Sequence, residues 1–122
     1  MNTIPSDEEF AAAKRKMAER SKNLDAASGR VVEAFRKQSA VSKVFILPQR
    51  DVDFRVYVFF SNDSDLDSGI RSGACEKISD FVYEELERQG RGSRSTIRIA
   101  FEFDSDENVR KNYEGDYYLR LR

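Results

Sequence analysis

The sequence predicts an α+β fold of order αββαββ, in which a four-stranded, mainly antiparallel sheet carries its helices on one face. Three observations lead to this prediction: a seven-residue apolar repeat near the N-terminus, alternating apolar segments at 54–60 and 97–103, and an amphipathic segment at 66–89. A repeat of seven is typical of helices, and a repeat of two is typical of strands with one buried face. The 122 residues are expected to form a single domain, residues 1–122.

The first predicted element is a long helix, or a pair of helices, over residues 6–38. A capping-box pattern, Ser6 followed by Glu9, indicates its start. Apolar residues then recur every seven positions: Phe10, Met17, Leu24 and Val31. This stripe predicts packing on the protein's own sheet, and the alternative is a coiled-coil or partner-docking seam, through which the chain could form a homodimer or a larger homo-oligomeric scaffold. Gly29 costs roughly 1 kcal/mol relative to alanine inside a helix, so we expect a bend or split there. Residues 1–5 are expected to be disordered.

A hairpin, an acidic loop and a second helix are predicted next. The apolar run 44–47 indicates a short strand, and the alternation over 54–60 indicates a second strand that pairs with it. Residues 61–67 are expected to form an acidic loop. One amphipathic helix is then expected over 66–89, with Ile70 on its apolar face.

The C-terminal third is predicted to add two more strands. Residues 97–103 alternate between apolar and polar side chains, which indicates a third strand. Ser105 is expected to cap a helical turn within the polar segment 104–112. After a turn through Gly115, the alternation over 117–121 predicts a fourth strand that ends the chain.

The residue inventory argues against catalysis and against a bound cofactor or metal. The chain has no histidine and one cysteine, which excludes serine–histidine and cysteine–histidine nucleophiles and a cysteine-built zinc site. The glycines match no phosphate-binding loop. Asp63, Asp65 and Asp67 have the spacing of a calcium loop, but Ser68 and Ala74 stand where a glycine and a bidentate glutamate are needed. Paired carboxylates in 102–107 could serve a nuclease or glycosidase, although so small a chain would hardly enclose a substrate cleft.

The charge distribution favours binding to another protein. Residues 1–50 carry ten basic and six acidic side chains (+4), and residues 51–122 carry eleven basic and sixteen acidic ones (−5). An alternative is an RNA-binding sheet that presents an outward basic and aromatic set: Arg55, Tyr57, Phe59, Arg98 and Arg120. The sequence pI of about 5.6 and the absence of ribonucleoprotein signatures argue against nucleic acid. No run of apolar residues suggests a signal peptide or a membrane span, and the lone cysteine fits a cytoplasmic protein.

The most distinctive sequence segments are residues 101–109, FEFDSDENV, and residues 112–122, NYEGDYYLRLR. Together with the strand 54–60 and the acidic segment after it, these residues resemble small bacterial immunity proteins. Such proteins are cytoplasmic antidotes to polymorphic toxins, including those of contact-dependent growth inhibition. The resemblance covers about residues 44–122 and consists of a similar residue pattern and chain length, without a diagnostic motif.

The resemblance implies a partner, the C-terminal toxin domain of a secreted effector, which is often a nuclease. The antidote would occlude the toxin by placing carboxylates where phosphates would otherwise bind, with aromatic anchors supplying affinity. No catalytic residue is implied. The candidate contact residues are Asp63, Asp65, Asp67, Asp104, Asp106, Glu107, Tyr113, Glu114, Asp116 and Tyr118.

Overall fold

A computed structural model describes residues 6–50 and 52–122, except for the side chains of Met17 and Arg20. Six helices and three strands occur in this part of the chain, in the order ααββααβαα. Their bounds are α1 Asp7–Ser21, α2 Leu24–Ser39, β1 Val41–Pro48, β2 Asp53–Phe60, α3 Asp63–Ser72, α4 Ala74–Arg88, β3 Arg98–Ser105, α5 Asp106–Asn112 and α6 Tyr117–Arg120. The fold is therefore mixed α and β as predicted, but the order αββαββ and the fourth strand are wrong. The predicted disorder of residues 1–5 lies outside the described residues.

The N-terminal helical region is a pair of helices, and its break is not at Gly29. The predicted capping box is confirmed, since Ser6 Oγ accepts a hydrogen bond from the Glu9 amide and Glu9 accepts one from the Ser6 amide, both at 3.2 Å. The chain leaves helical geometry at Asn23, whose φ of 64° is left-handed. Asparagine tolerates this conformation better than most residues. Gly29 stays within α2 on its exposed side.

The sheet has the strand order β1-β2-β3, with β2 in the centre. The predicted hairpin is confirmed, because β1 pairs antiparallel to β2, for example Val44 opposite Val58. β3 pairs parallel to β2, with Val56 opposite Phe101, and this differs from the predicted antiparallel sheet. A parallel neighbour requires a long crossover, and α3 and α4 supply it.

The crossover contains two helices rather than one. Gly73, with φ of 83°, interrupts the predicted helix 66–89 and separates α3 from α4. The predicted acidic loop 61–67 is mostly the first turn of α3. Its cap is Asn62, whose side chain accepts a 2.8 Å hydrogen bond from the Asp65 amide.

Helices cover both faces of the sheet, so the prediction that they pack on one face is wrong. On one face α2 and α4 bury the larger core, which includes Leu24, Val31, Val56, Val58, Phe60, Ile78, Val82 and Leu86. On the other face α5 and α6 cover a smaller cluster around Tyr57, Phe59 and Val109. Side chains that alternate along β2 therefore enter two different cores.

The predicted fourth strand, residues 117–121, is the short helix α6 followed by the chain end. The Asp116 side chain accepts hydrogen bonds from the amides of Tyr118 and Leu119, at 2.9 and 3.4 Å, and so caps this helix. Tyr117 and Leu121, four residues apart, both pack on the smaller core. A spacing of four suits a helical turn that covers a sheet. Within the described residues, none of the helices has the length and apolar character needed to cross a bilayer.

Candidate partner-binding site

The most exposed aliphatic side chain beside the predicted acidic residues is Ile70, on the outer surface of α3. It is 60% exposed and lines an open groove of about 530 Å³. We call this the α3 groove, and its lining residues are Asp63, Ser64, Leu66, Asp67 and Ile70. Asp63, Asp67 and Ile70 follow one another along this side of α3, at helical spacings of four and three residues. An apolar side chain beside two carboxylates is a suitable binding surface for a partner with an apolar and basic contact region.

The exposure of Ile70 follows from the break at Gly73. The amphipathic pattern over 66–89 predicts that Ile70 lies on the buried face of one continuous helix, and this prediction is wrong. Because α3 ends at Ser72, its faces are set independently of the α4 face that buries Ile78, Val82 and Leu86. Close packing of Gly69 on the ring of Phe60 then fixes which side of α3 lies inward. The Ser72-Gly73 pair was the sequence signal that could have revealed this break.

Hydrogen bonds hold the acidic edge of the groove in place. The Asp63 carboxylate accepts a 2.5 Å hydrogen bond from Ser105 Oγ, and the Asp63 amide donates to Glu107 at 3.0 Å. Asp67 pairs with Arg71 at 2.9 Å within α3. The contacts of Asp63 therefore join the groove to α5 and to the end of β3.

Glu107 connects α5 to the start of α3. Its carboxylate pairs with Lys111 at 2.8 Å as well as accepting from the Asp63 amide. These two hydrogen bonds, that from Lys111 first, lower the pKa of Glu107 below its ordinary value. The side chain stays ionised near neutral pH, but Lys111 offsets part of its negative charge.

Asp65 lies apart from the α3 groove. Its half-buried side chain lines a second open cavity of about 360 Å³, where α3 approaches the end of α2 at residues 37–40. Lys37 lines the same cavity. The three aspartates of the predicted acidic loop therefore do not form one patch, because a step of two residues turns about 200° around a helix and directs Asp65 away from Asp63 and Asp67.

Asp104 is buried at 7% exposure and does not lie on an outer rim as predicted. Arg120 Nε donates to its carboxylate at 2.5 Å, and Asn108 Nδ2 donates at 3.0 Å. A second nitrogen of Arg120 reaches Glu102 at 3.3 Å. We call Glu102, Asp104, Asn108 and Arg120 the C-terminal clasp, because it ties α6 to β3. Burial opposes the positive charge of Arg120, but the ion pair with Asp104 leaves its pKa above the ordinary value.

Asp106 is also interior, at 8% exposure, so its predicted contact role is not supported by its position. Its carboxylate accepts a hydrogen bond from the Tyr117 hydroxyl and lies 3.6 Å from Lys43 Nζ. Burial, followed by the hydrogen bond to Asp106, raises the pKa of Tyr117. To bind another protein, this carboxylate would first have to give up contacts within its own chain, and losing them costs free energy.

The remaining predicted residues lie in the C-terminal turn. Tyr113 is half-buried against the smaller core, and Asp116 is exposed while capping α6. Glu114 is exposed with a left-handed φ of 56°. Tyr118 is 86% exposed, which makes it the most accessible aromatic side chain among the exposed large apolar residues. This turn offers one aromatic contact and two carboxylates, separately from the α3 groove.

The sheet face proposed for RNA binding is mostly covered. Tyr57 and Phe59 are 2% and 0% exposed beneath α5 and α6. Phe59 packs edge-to-face on Tyr117, with ring centroids 5.0 Å apart. Bases cannot stack on rings that are already buried, so this face does not form the platform that RNA-binding sheets use.

No group of three or more histidine, cysteine, aspartate or glutamate side chains converges on a metal-sized site within residues 6–50 and 52–122. Comparison of the chain with family models, with curated proteins and with solved structures returned no match. The α3 groove therefore has to be interpreted from its own geometry.

Proposed function

We propose that the protein is an immunity protein that binds and neutralises a cognate bacterial toxin domain by occlusion, and that the α3 groove is its principal contact surface. The observation that carries the proposal is Ile70, exposed at 60% on the same side of α3 as Asp63 and Asp67. The net charge of −5 on residues 51–122 supports a basic partner, such as a nuclease with a phosphate-binding cleft.

Ile70 and the carboxylates are assigned different roles in this proposal. Apolar burial supplies affinity, while charges at the rim accelerate encounter and select the partner. Covering a side chain like that of Ile70 contributes roughly 1–2 kcal/mol, which corresponds to about a tenfold change in the dissociation constant. Asp63 and Asp67 keep their oxygens beside the groove, and their partners Ser105 and Arg71 orient them.

The test is co-purification with the C-terminal domain of the protein that the neighbouring reading frame encodes, followed by calorimetric titration for the affinity and stopped-flow fluorescence for the association rate. The wild-type chain should bind and abolish the toxicity of that domain. Ile70→Ala should weaken binding roughly tenfold. Asp67→Lys should slow association and reduce the dependence of the association rate on salt.

Glu19→Lys is the matched control, because it makes the same charge change on the exposed helix α1. We expect Glu19→Lys to leave the affinity within a factor of about two of wild type, as for surface changes outside a contact region. Failure of the wild-type chain to form any complex at micromolar concentration would contradict the proposed function. Equal weakening by Asp67→Lys and Glu19→Lys would remove the α3 groove from it.

A second candidate, a homo-oligomeric scaffold built through the N-terminal helix, is favoured by one observation. Every described side chain of α1 is exposed, and Phe10 at 58% is the largest apolar one. A 15-residue helix gains little from propensity alone and is usually stabilised by packing. Light scattering on the full chain and on Phe10→Ala separates this function from toxin binding, because only the scaffold requires Phe10.

A further inference from the structure

The two edge strands of the sheet are protected to different degrees. β1 has three features that discourage another strand from pairing with it: a register irregularity between Val41 and Lys43, the charge of Lys43 and the terminal Pro48. β3 has no proline and pairs with β2 in continuous register along all eight residues. Proteins normally block an edge that must stay unpaired.

The outer edge of β3 presents backbone groups whose direction can be assigned. The Arg98 amide donates to the Val52 carbonyl at 2.9 Å, so the backbone of Arg98 faces β2. In a parallel ladder the direction alternates, and the amides and carbonyls of Ile99, Phe101 and Phe103 therefore point away from the sheet. The Ser105 amide, next in this series, bonds to its neighbour Asp104 instead of to a strand.

The side chains at this edge are also incompletely covered. Phe101 and Phe103 are half-buried and stack with centroids 6.0 Å apart, and Phe101 packs on Tyr83 of α4. Ala100 is exposed on the other face, between the charged side chains of Arg98 and Glu102. A strand added here would find hydrogen bonds, an apolar face and a charged face together.

We propose that the occupant of this edge is a second copy of the chain, whose β3 pairs antiparallel with the first about a twofold axis at Ala100. This inference goes beyond the proposed function and does not depend on it. In this register Arg98 lies opposite the second copy's Glu102, and Ile99 lies opposite the second copy's Phe101. Over residues 97–103 each charged residue meets one of opposite charge and each apolar residue meets an apolar one, which is the requirement for a self-complementary contact.

The hydrogen-bond pattern agrees with the same register. Ile99 and Phe101 both point their backbone groups outward, so each pair of them can exchange two hydrogen bonds across the axis. Shifting the register by two residues toward the C-terminus places Arg98 opposite Asp104, whose side chain is 10% exposed and pairs with Arg120 at 2.5 Å. Arg98 and Glu102 also have partners within the chain, Asp53 at 2.7 Å and Arg120 at 3.3 Å, but their side chains are 78% and 42% exposed and can be reached by a second copy. A further shift of two places Glu102 opposite its own copy, where like charges repel.

The test is analytical ultracentrifugation of the wild-type chain over micromolar to millimolar concentration. We expect a reversible dimer. Arg98→Glu alone and Glu102→Arg alone each replace two attractive cross-strand pairs by two repulsive ones, which should weaken self-association roughly ten- to a hundredfold. An equimolar mixture of the two variants should form a heterodimer, because both cross-strand pairs are attractive again.

Two further variants separate a dimer formed through the β3 edge from one formed through α1. Ile99→Pro removes an outward amide that β2 does not use, so it should give a folded monomer by circular dichroism. Phe10→Ala, on α1, should leave the dimer unchanged. A wild-type chain that stays monomeric throughout, a dimer that persists in Ile99→Pro, or variants that do not associate when mixed would each overturn the proposal. A dimer lost only in Phe10→Ala would overturn it too, and would assign self-association to α1.

Discussion

Replacing Arg120 by methionine should destabilise the fold strongly, because Arg120 is the only cation among the described residues that pairs with the buried carboxylate of Asp104. The Arg120 side chain is 16% exposed, and its guanidinium also lies over the rings of Tyr57 and Tyr113, at 5.6 and 5.8 Å from their centroids. Removing one partner of a buried pair costs about 3–5 kcal/mol. Asp104 keeps hydrogen bonds from Asn108 and from the Ser105 amide, so we expect the lower end, about 3 kcal/mol.

The measurement is urea unfolding at neutral pH, followed by circular dichroism. With a urea m-value of roughly 1.5–2 kcal/mol/M, the midpoint should fall by about 1.5–2 M. Arg36→Met, at an exposed arginine that pairs with Glu33 at 3.4 Å, is the matched control and should shift stability by less than about 0.5 kcal/mol. Adding Asp104→Asn to Arg120→Met should recover part of the loss, because the uncompensated charge is removed. Equal stability of Arg120→Met and wild type would refute the stabilising role of the C-terminal clasp.

Three further predictions concern single positions. Gly69→Ala should destabilise the fold by about 1–3 kcal/mol in thermal unfolding, since the new Cβ would lie 2.8 Å from a ring carbon of buried Phe60. Gly29→Ala is the control: it has open space around it and should stabilise the fold by about 0.5–1 kcal/mol in the same assay. Asn23→Ala should cost roughly 1–2 kcal/mol because of its left-handed φ of 64°, and Asn23→Gly should restore most of that stability in the same assay. The pKa of Glu107 is lower in the folded protein than in the unfolded chain, so the ionised side chain stabilises the fold. This stabilisation is fully present above the unfolded pKa of about 4.3 and is lost as pH falls through the lower folded pKa. Glu107→Gln should therefore be less stable than wild type near pH 7, and the difference should shrink in acid-denaturation curves as pH falls below the unfolded pKa of about 4.3.

Local signals in the sequence predicted several elements well. The capping box at Ser6, the hairpin around residues 44–60 and the Ser105 cap of a helical turn are all confirmed. Each of these depends on residues close together in sequence, so tertiary contacts had little to alter. The type of strand pairing was not predictable in this way, because the alternation within β3 is the same for a parallel and an antiparallel neighbour.

The C-terminal segment shows why a short alternation is ambiguous. Over residues 117–121 the apolar side chains fit a strand of period two, yet Tyr117 and Leu121 also fit one helical turn. The side chain of Asp116 decides in favour of the helix by bonding to two amides. Leu119, the middle residue of the supposed strand face, is left 38% exposed.

The acidic residues that the sequence predicted as one contact surface fall into different environments. Asp104 and Asp106 are interior and bind Arg120, Tyr117 and Lys43, because α5 folds back over the sheet. Asp63 and Asp67 remain at the surface. The sequence does not distinguish the buried aspartates from the exposed ones, because the cations that pair with Asp104 and Asp106 are distant along the chain.

The α3 groove and the β3 edge lie far enough apart to be used together. α3 contacts β3 through Asp63 and Ser105, the last residue of the strand, whereas self-pairing is centred on Ala100, about 16 Å earlier along the strand. A dimer would then present two grooves, and the complex with a toxin domain should contain two copies of each protein by light scattering. A complex of one copy each, weakened by Ile99→Pro, would instead show that a strand of the toxin displaces the second copy from β3. Ile70→Ala separates the two surfaces, because it should weaken toxin binding while leaving self-association of the free chain unchanged.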